Sequence, residues 1–546
     1  MPIDPCMVRR GEQQSTGVHE VIPMDSDVSS VGPPAPGDAR QSTGLEATSP
    51  QPPSSRPSPP RPKGWALPAW LVIIAMCLLI VVIPRLLGSS PDSEREDPVG
   101  LTLMQMQGKQ LVGMARLFPM DAEALSKLYD QAEGLLKVGT VGQRQRFIIL
   151  AAELVGPDEA RRQLEQLDVL IADPPVGEPV QLSEAQAAVQ RILHQLYTAG
   201  SPDPDAAGAA QDSAGAASTL DPADRDIFVE QLGWFGRLAL APLGGDDDAA
   251  RDAVLRPARI VVVLVVSVAV LATAAGLVGF IGLILLIVFA LLGTLRSGLG
   301  SSRPHHAVYA ETFAVWMVVF FGLQLLGELI STPETVMLLT IIMFFASLLA
   351  LAWPVVRGIP WPTVRQDVGL TLGRMPVVEP CIGVGAYLVT LPLLAGGFLL
   401  TLGLMALQSL LAGEQPTFAP SGGPAHPIIV YMTGSDLWPK LQILFLAAVA
   451  APIVEETMFR GVLYRHLRDA TNRFGLVLSV LLSASINGFV FAAIHPQGFV
   501  AVPALMSLAL GMALVREWRG TLIPSMMIHA VHNGLLMGLL MIVLGV

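Results

Sequence analysis

Ala451-Pro-Ile-Val-Glu-Glu-Thr-Met-Phe-Arg-Gly461 lies inside an apolar run extending from residue 438 to 463. An ionised group at the centre of a bilayer costs roughly 2.5–3.5 kcal/mol on insertion scales, so such residues face a bundle interior. Glu456 and Arg460 are four apart, share a helix face and can neutralise each other. Glu455 points about 100° away and has no partner within the stretch. A bundle of membrane helices enclosing an uncompensated carboxylate is the reading this segment imposes.

The rest of the chain agrees. With 546 residues, 14% of them charged, and a mean hydropathy of +0.55, the expected class is an all-α polytopic membrane protein. Cys6, Cys77 and Cys381 are scattered and form neither a disulfide framework nor a metal knuckle. No basic cluster with interleaved aromatics exists, so nucleic acid is not an expected partner.

Residues 1–64, rich in Pro, Ser and Gly, read as a disordered tail. A first span follows at 65–88. Residues 89–255 read as a soluble, acidic, helical insert; over 88–255 there are 27 Asp and Glu against 13 Lys and Arg. Helical periodicity covers 101–137, 142–171, 181–198 and 222–240, with a loose linker at 200–220. The insert's partner is unknown. Additional membrane helices occupy 256–358, and 359–546 forms the last unit.

The runs 260–294 and 376–411 are long enough for either one tilted helix or a tight hairpin. Basic residues arbitrate. Arg56, Arg61 and Lys63, Arg296 and Arg303, Arg357, Arg365 and Arg374, Arg465, Arg468 and Arg473, and Arg516 and Arg519 all fall on one side if each long run crosses once. This predicts about nine transmembrane helices, with the tail inside and the insert and C-terminus outside.

Three polar groups recur in the last four apolar runs: Glu455-Glu456-x-x-x-Arg460, Phe491-x-x-x-His495 and His529-x-x-x-Asn533, with His532 between the last two. Each alone is explained by helix–helix hydrogen bonding. Together they suit hydrolysis, because a carboxylate can take a proton from water while imidazole and amide N–H groups hold an oxyanion. In this order and spacing they resemble the CPBP intramembrane proteases, which include the type II CAAX prenyl endopeptidases and the Abi-like proteins. The resemblance covers roughly residues 360–546, including Arg365-Gln-Asp-Val-Gly-Leu370 before a long span.

The resemblance implies that Glu455 activates water with help from His495, that Arg460 fixes Glu456, and that His529 and Asn533 form the oxyanion hole. His532 lies outside the pattern and is read as structural. The implied substrate is a membrane-anchored peptide or protein, prenylated CAAX chains being the family's best-defined class, cut in contact with membrane lipid. The membrane is the plasma or inner membrane if the host is bacterial. No cofactor is favoured; a zinc ion, if used, would take Glu455, His495 and His529. The alternative is a catalytically inactive scaffold or self-immunity protein that binds its partner through the insert. A transporter lacks the expected inverted repeat. One difficulty is depth: His495 emerges near the far surface unless its helix begins beyond the membrane or its loop folds back.

Overall fold

The computed structural model describes residues 64–86, 98–136, 140–173, 180–198, 217–241, 248–300, 303–412, 436–495 and 499–545. The tail expected at 1–64 lies outside these residues except for Gly64, as does most of the linker expected at 200–220. Among the described residues every regular element is helical. The helices are α1 (Ala66–Leu86), α2 (Pro98–Leu117), α3 (Ala122–Leu136), α4 (Val141–Leu154), α5 (Pro157–Ala172), α6 (Glu184–Thr198), α7 (Pro222–Leu232) and α8 (Trp234–Ala239). The remainder are α9 (Asp248–Leu291), α10 (His306–Ile330), α11 (Val336–Val356), α12 (Trp361–Val368), α13 (Glu379–Ala412), α14 (Leu437–Phe474), α15 (Leu476–Ala493), α16 (Val502–Arg519) and α17 (Ile523–Gly545).

Seven of these, α9, α10, α11, α13, α14, α15 and α17, are long and apolar enough to cross a membrane. The protein is a multi-pass integral membrane protein. The other two of the nine expected crossings are also helices. In α1 the apolar part is the shorter Ala66–Ile80, and α16 ends on Arg516, Glu517 and Arg519. Both long runs, 260–294 and 376–411, lie in single helices, α9 and α13, rather than in hairpins.

Three of the four helices expected between 101 and 240 are broken. Phe118-Pro119-Met120-Asp121 separates α2 from α3, and the Asp121 carboxylate accepts from Ala124 N–H at 2.8 Å. Gly156, at φ 134°, and Pro157 separate α4 from α5. Gly233, at φ 61°, separates α7 from α8. Each break is a residue that cannot continue a helix or that starts one, a signal that averaging over long windows conceals.

Helices α2–α8 share one hydrophobic cluster, centred on Phe147, Leu164, Ile192, Phe228 and Phe235. Leu255 and Ala258 of α9 belong to the same cluster. Farther along α9, Gly279 packs so tightly on Leu388 of α13 that any Cβ would overlap its carbonyl. A second cluster, around Phe313, Trp316, Met458, Phe459, Phe491 and Ile528, joins α10, α14, α15 and α17. Helix α13 packs against α9, α16 and α17, and α15 packs against α16.

Acids that the sequence did not single out bind these helices together. Glu311 receives Trp353 Nε1 and Arg357 Nε, each at 2.9 Å, and the Trp65 backbone N–H at 2.5 Å, which fastens the start of α1. Asp367 takes Arg303 at 2.8 Å, His305 at 3.0 Å and Tyr309 at 2.8 Å. Burial pushes its carboxyl up, but the hydrogen bonds from His305 and Tyr309 and the charges of Arg465 and Arg303 outweigh that and hold it below its usual range. Glu517 pairs with Arg468, Asp469 with Arg465, and Glu379 with Arg519. Several arginines that looked like free topological markers are therefore partnered.

Candidate active site

Pro452 has no N–H to continue the helix and crowds the carbonyl four residues earlier. Helix α14 accommodates it with a π turn at Leu446–Ala450, and a second π turn follows at Thr457–Leu463. Between the two lies the Ala451–Glu456 segment with both carboxylates.

Glu456 and Arg460 are wholly buried and joined at 2.8 Å, as their spacing predicted. The same oxygen, Glu456 Oε1, lies 2.9 Å from His529 Nδ1. An ionised carboxylate only accepts, so Nδ1 carries the hydrogen. The Arg460 guanidinium lies 4.4 Å from the centre of the Phe491 ring. That ring also touches His495, at 4.2 Å between centroids, and His529, at 6.0 Å.

Glu455 lies on the adjoining face. Its Oε2 is 3.9 Å from His495 Nε2 and 3.9 Å from His529 Nε2, is buried, and makes no hydrogen bond. His495 Nδ1 lies 2.6 Å from the Phe491 carbonyl, which only accepts, so there too Nδ1 carries the hydrogen. In their neutral forms both rings present an Nε2 lone pair toward one carboxylate oxygen. Asn533, one turn beyond His529, donates through Nδ2 to the Ala447 carbonyl at 2.9 Å, which leaves its second amide hydrogen. His532 faces another way, its Nδ1 lying 3.3 Å from the Tyr387 hydroxyl of α13.

The depth difficulty is resolved by the length of the α14–α15 hairpin. At Gly461 a Cβ would overlap Val368 and touch Leu522 at 3.4 Å, so Gly461 and Leu522 are level. From there Glu455 and His529 are six and seven residues along their helices, about 9–10 Å in each case. The turn at Gly475 lies fourteen residues the other way, about 20 Å beyond that level. Helix α15 therefore starts well past the start of α17, beside α14, where Thr471 bonds Ser479 and Ser483. Its last turn then delivers His495 to the level of Glu455.

Three donors about 2.0–2.1 Å from a tetrahedral zinc stand about 3.3–3.4 Å apart. The two 3.9 Å separations are wider. Among the described residues no group of three or more His, Cys, Asp or Glu is arranged to hold a metal ion.

One polar residue in this region escaped the motif reading. Asn487 is wholly buried in α15 and donates Nδ2 to the Phe459 carbonyl at 2.8 Å. Its signal was available, since 487, 491 and 495 fall four apart on one helix face.

Residues 437–535 match the family model described as Type II CAAX prenyl endopeptidase Rce1-like. The matched stretch contains Glu455, Glu456, Arg460, His495, His529 and Asn533. The match over this part of the chain supports a CPBP family intramembrane protease. No curated protein and no solved structure matches the chain.

Proposed function

We propose that the protein is an intramembrane endopeptidase that hydrolyses a peptide bond of a membrane-anchored substrate with water activated by Glu455. The observation that carries this is the convergence of His495 Nε2 and His529 Nε2 on Glu455 Oε2, each at 3.9 Å. That separation is too long for a direct hydrogen bond and suits a bridging water. Three lone-pair groups around one water outnumber its two hydrogens, so one of them must carry a proton. His529 is placed for that role, because Glu456 sits on its Nδ1–H and stabilises the imidazolium. Two carboxylates, Arg460 and a protonated His529 then sum to zero charge, which a buried site favours.

The reaction follows from these positions. Glu455 takes one proton from the water, and His495 Nε2 accepts the hydrogen bond of the other. The hydroxide adds to the scissile carbonyl. The oxyanion is held by His529 Nε2–H and the remaining Asn533 N–H, and Glu455 returns its proton to the leaving amine. No step requires a metal, and the wide donor spacing supports the metal-free reading. A prenylated CAAX-type substrate is the class that the family match favours.

The test is cleavage of lipidated, membrane-anchored reporter peptides by purified protein in detergent, with and without a strong chelator. Glu455→Gln and His529→Ala are each expected to lose activity by roughly 10²–10⁴-fold, the usual worth of a general acid or base, with wild type indifferent to chelator. Full activity in Glu455→Gln, or loss on chelation restored by zinc, overturns the mechanism.

A further inference from the structure

An amide buried in an apolar membrane helix costs free energy unless it is bonded, and Asn487 is fully buried in α15. The bond it makes is not to another side chain but to the carbonyl of Phe459, inside the second π turn of α14. That carbonyl already accepts the Tyr464 N–H across the widened turn. Asn487 therefore adds a second hydrogen bond at the point where α14 departs from regular helix, one residue before Arg460. A mere helix–helix tie has many carbonyls to choose from; this one fixes the turn that aims the guanidinium.

The surrounding orphans point the same way. Asn487 Oδ1, Arg460 Nε, Arg460 Nη2 and Glu456 Oε2 are all buried without hydrogen-bond partners, two acceptors matched by two donors. Arg460 lies over Phe491, one turn beyond Asn487 on the same face. Arg460 holds Glu456, and Glu456 holds His529.

We infer that Asn487 is a positioning residue: by pinning the Phe459 carbonyl it sets the register in which Arg460, Glu456 and His529 align behind Glu455. The inference rests on the reading of Glu455 and His529 as the reacting groups, and the experiment separates the two. Asn487→Leu keeps the branched heavy-atom skeleton and removes both polar atoms. Asn487→Asp keeps the shape but donates to the carbonyl only when protonated, a form that burial favours. Full-length protein is assayed against a membrane-anchored fluorogenic peptide, with rates expressed per folded molecule. In parallel, the imidazole ¹⁵N signals of His529, assigned by their loss in His529→Gln, are followed against pH.

Asn487→Leu is expected to lower kcat about tenfold, comparable to the worth of one intramolecular hydrogen bond, with KM unchanged and the His529 signals displaced. Asn487→Asp is expected to regain kcat relative to wild type as pH falls. Wild-type kcat per folded molecule and unchanged His529 signals in Asn487→Leu overturn the inference, as does an Asp variant whose deficit is the same at every pH. If wild type cleaves nothing, the proposed reaction fails, and the His529 signals alone decide whether Asn487 positions that ring.

Discussion

Glu456 Oε1 lies 2.8 Å from Arg460 and 2.9 Å from His529, and that shared oxygen is where the residue scale carries most weight. Removing one partner of a fully buried ion pair strands the other, at a cost of about 3–5 kcal/mol. Glu456→Gln and Arg460→Met should each lower stability by that amount, and the double replacement should recover most of it. Chemical denaturation in detergent measures this; strictly additive losses would show that the two charges do not depend on each other. The two variants that carry Glu456→Gln should also be inactive, because His529 loses the carboxylate that fixes its Nδ1–H. The double variant would thus regain its fold without regaining its chemistry, separating what the pair does for stability from what it does for the ring.

At the scale of elements, close approach decides the arrangement. Gly279 lets α9 press on the backbone of α13, so Gly279→Leu should force the helices apart, at about 1–3 kcal/mol. A thermal shift with an unaltered α-helical spectrum is the expected signature, and an unchanged melting temperature would mean that the crossing is loose. The long helices were legible because apolar runs are local, and so was the Glu456–Arg460 pair, four residues apart on one face. The three motifs stood out as a candidate site because carboxylates and imidazoles are rare in apolar runs. The breaks at Pro119, Gly156 and Gly233 were legible residue by residue, yet the long period masked them. Glu311 and Asp367 were not legible, because their partners are 42 to 246 residues away for the first and 58 to 64 for the second. The tilt and overhang of the α14–α15 hairpin were also beyond a one-dimensional reading, which measures lengths but not the level at which helices meet.

For the molecule as a whole, Asp367 ties the segment before α10, α10 itself and α12 together through Arg303, His305 and Tyr309. Its carboxyl is held below the usual range, so its contribution to stability is complete above the unfolded value, about 3.9, and disappears as pH falls through the folded one. Asp367→Asn should melt earlier than wild type at neutral pH, and the gap should close under strong acid. A gap that persists unchanged at the lowest accessible pH would assign the loss to packing instead of charge. Helix α9 acts over a longer distance. It runs unbroken through 44 residues, about 66 Å, with Leu255 and Ala258 set in one core and Gly279 seated on α13 near the other. A single shaft thus joins the cluster of α2–α8 to α13, the neighbour of the helix bearing His529.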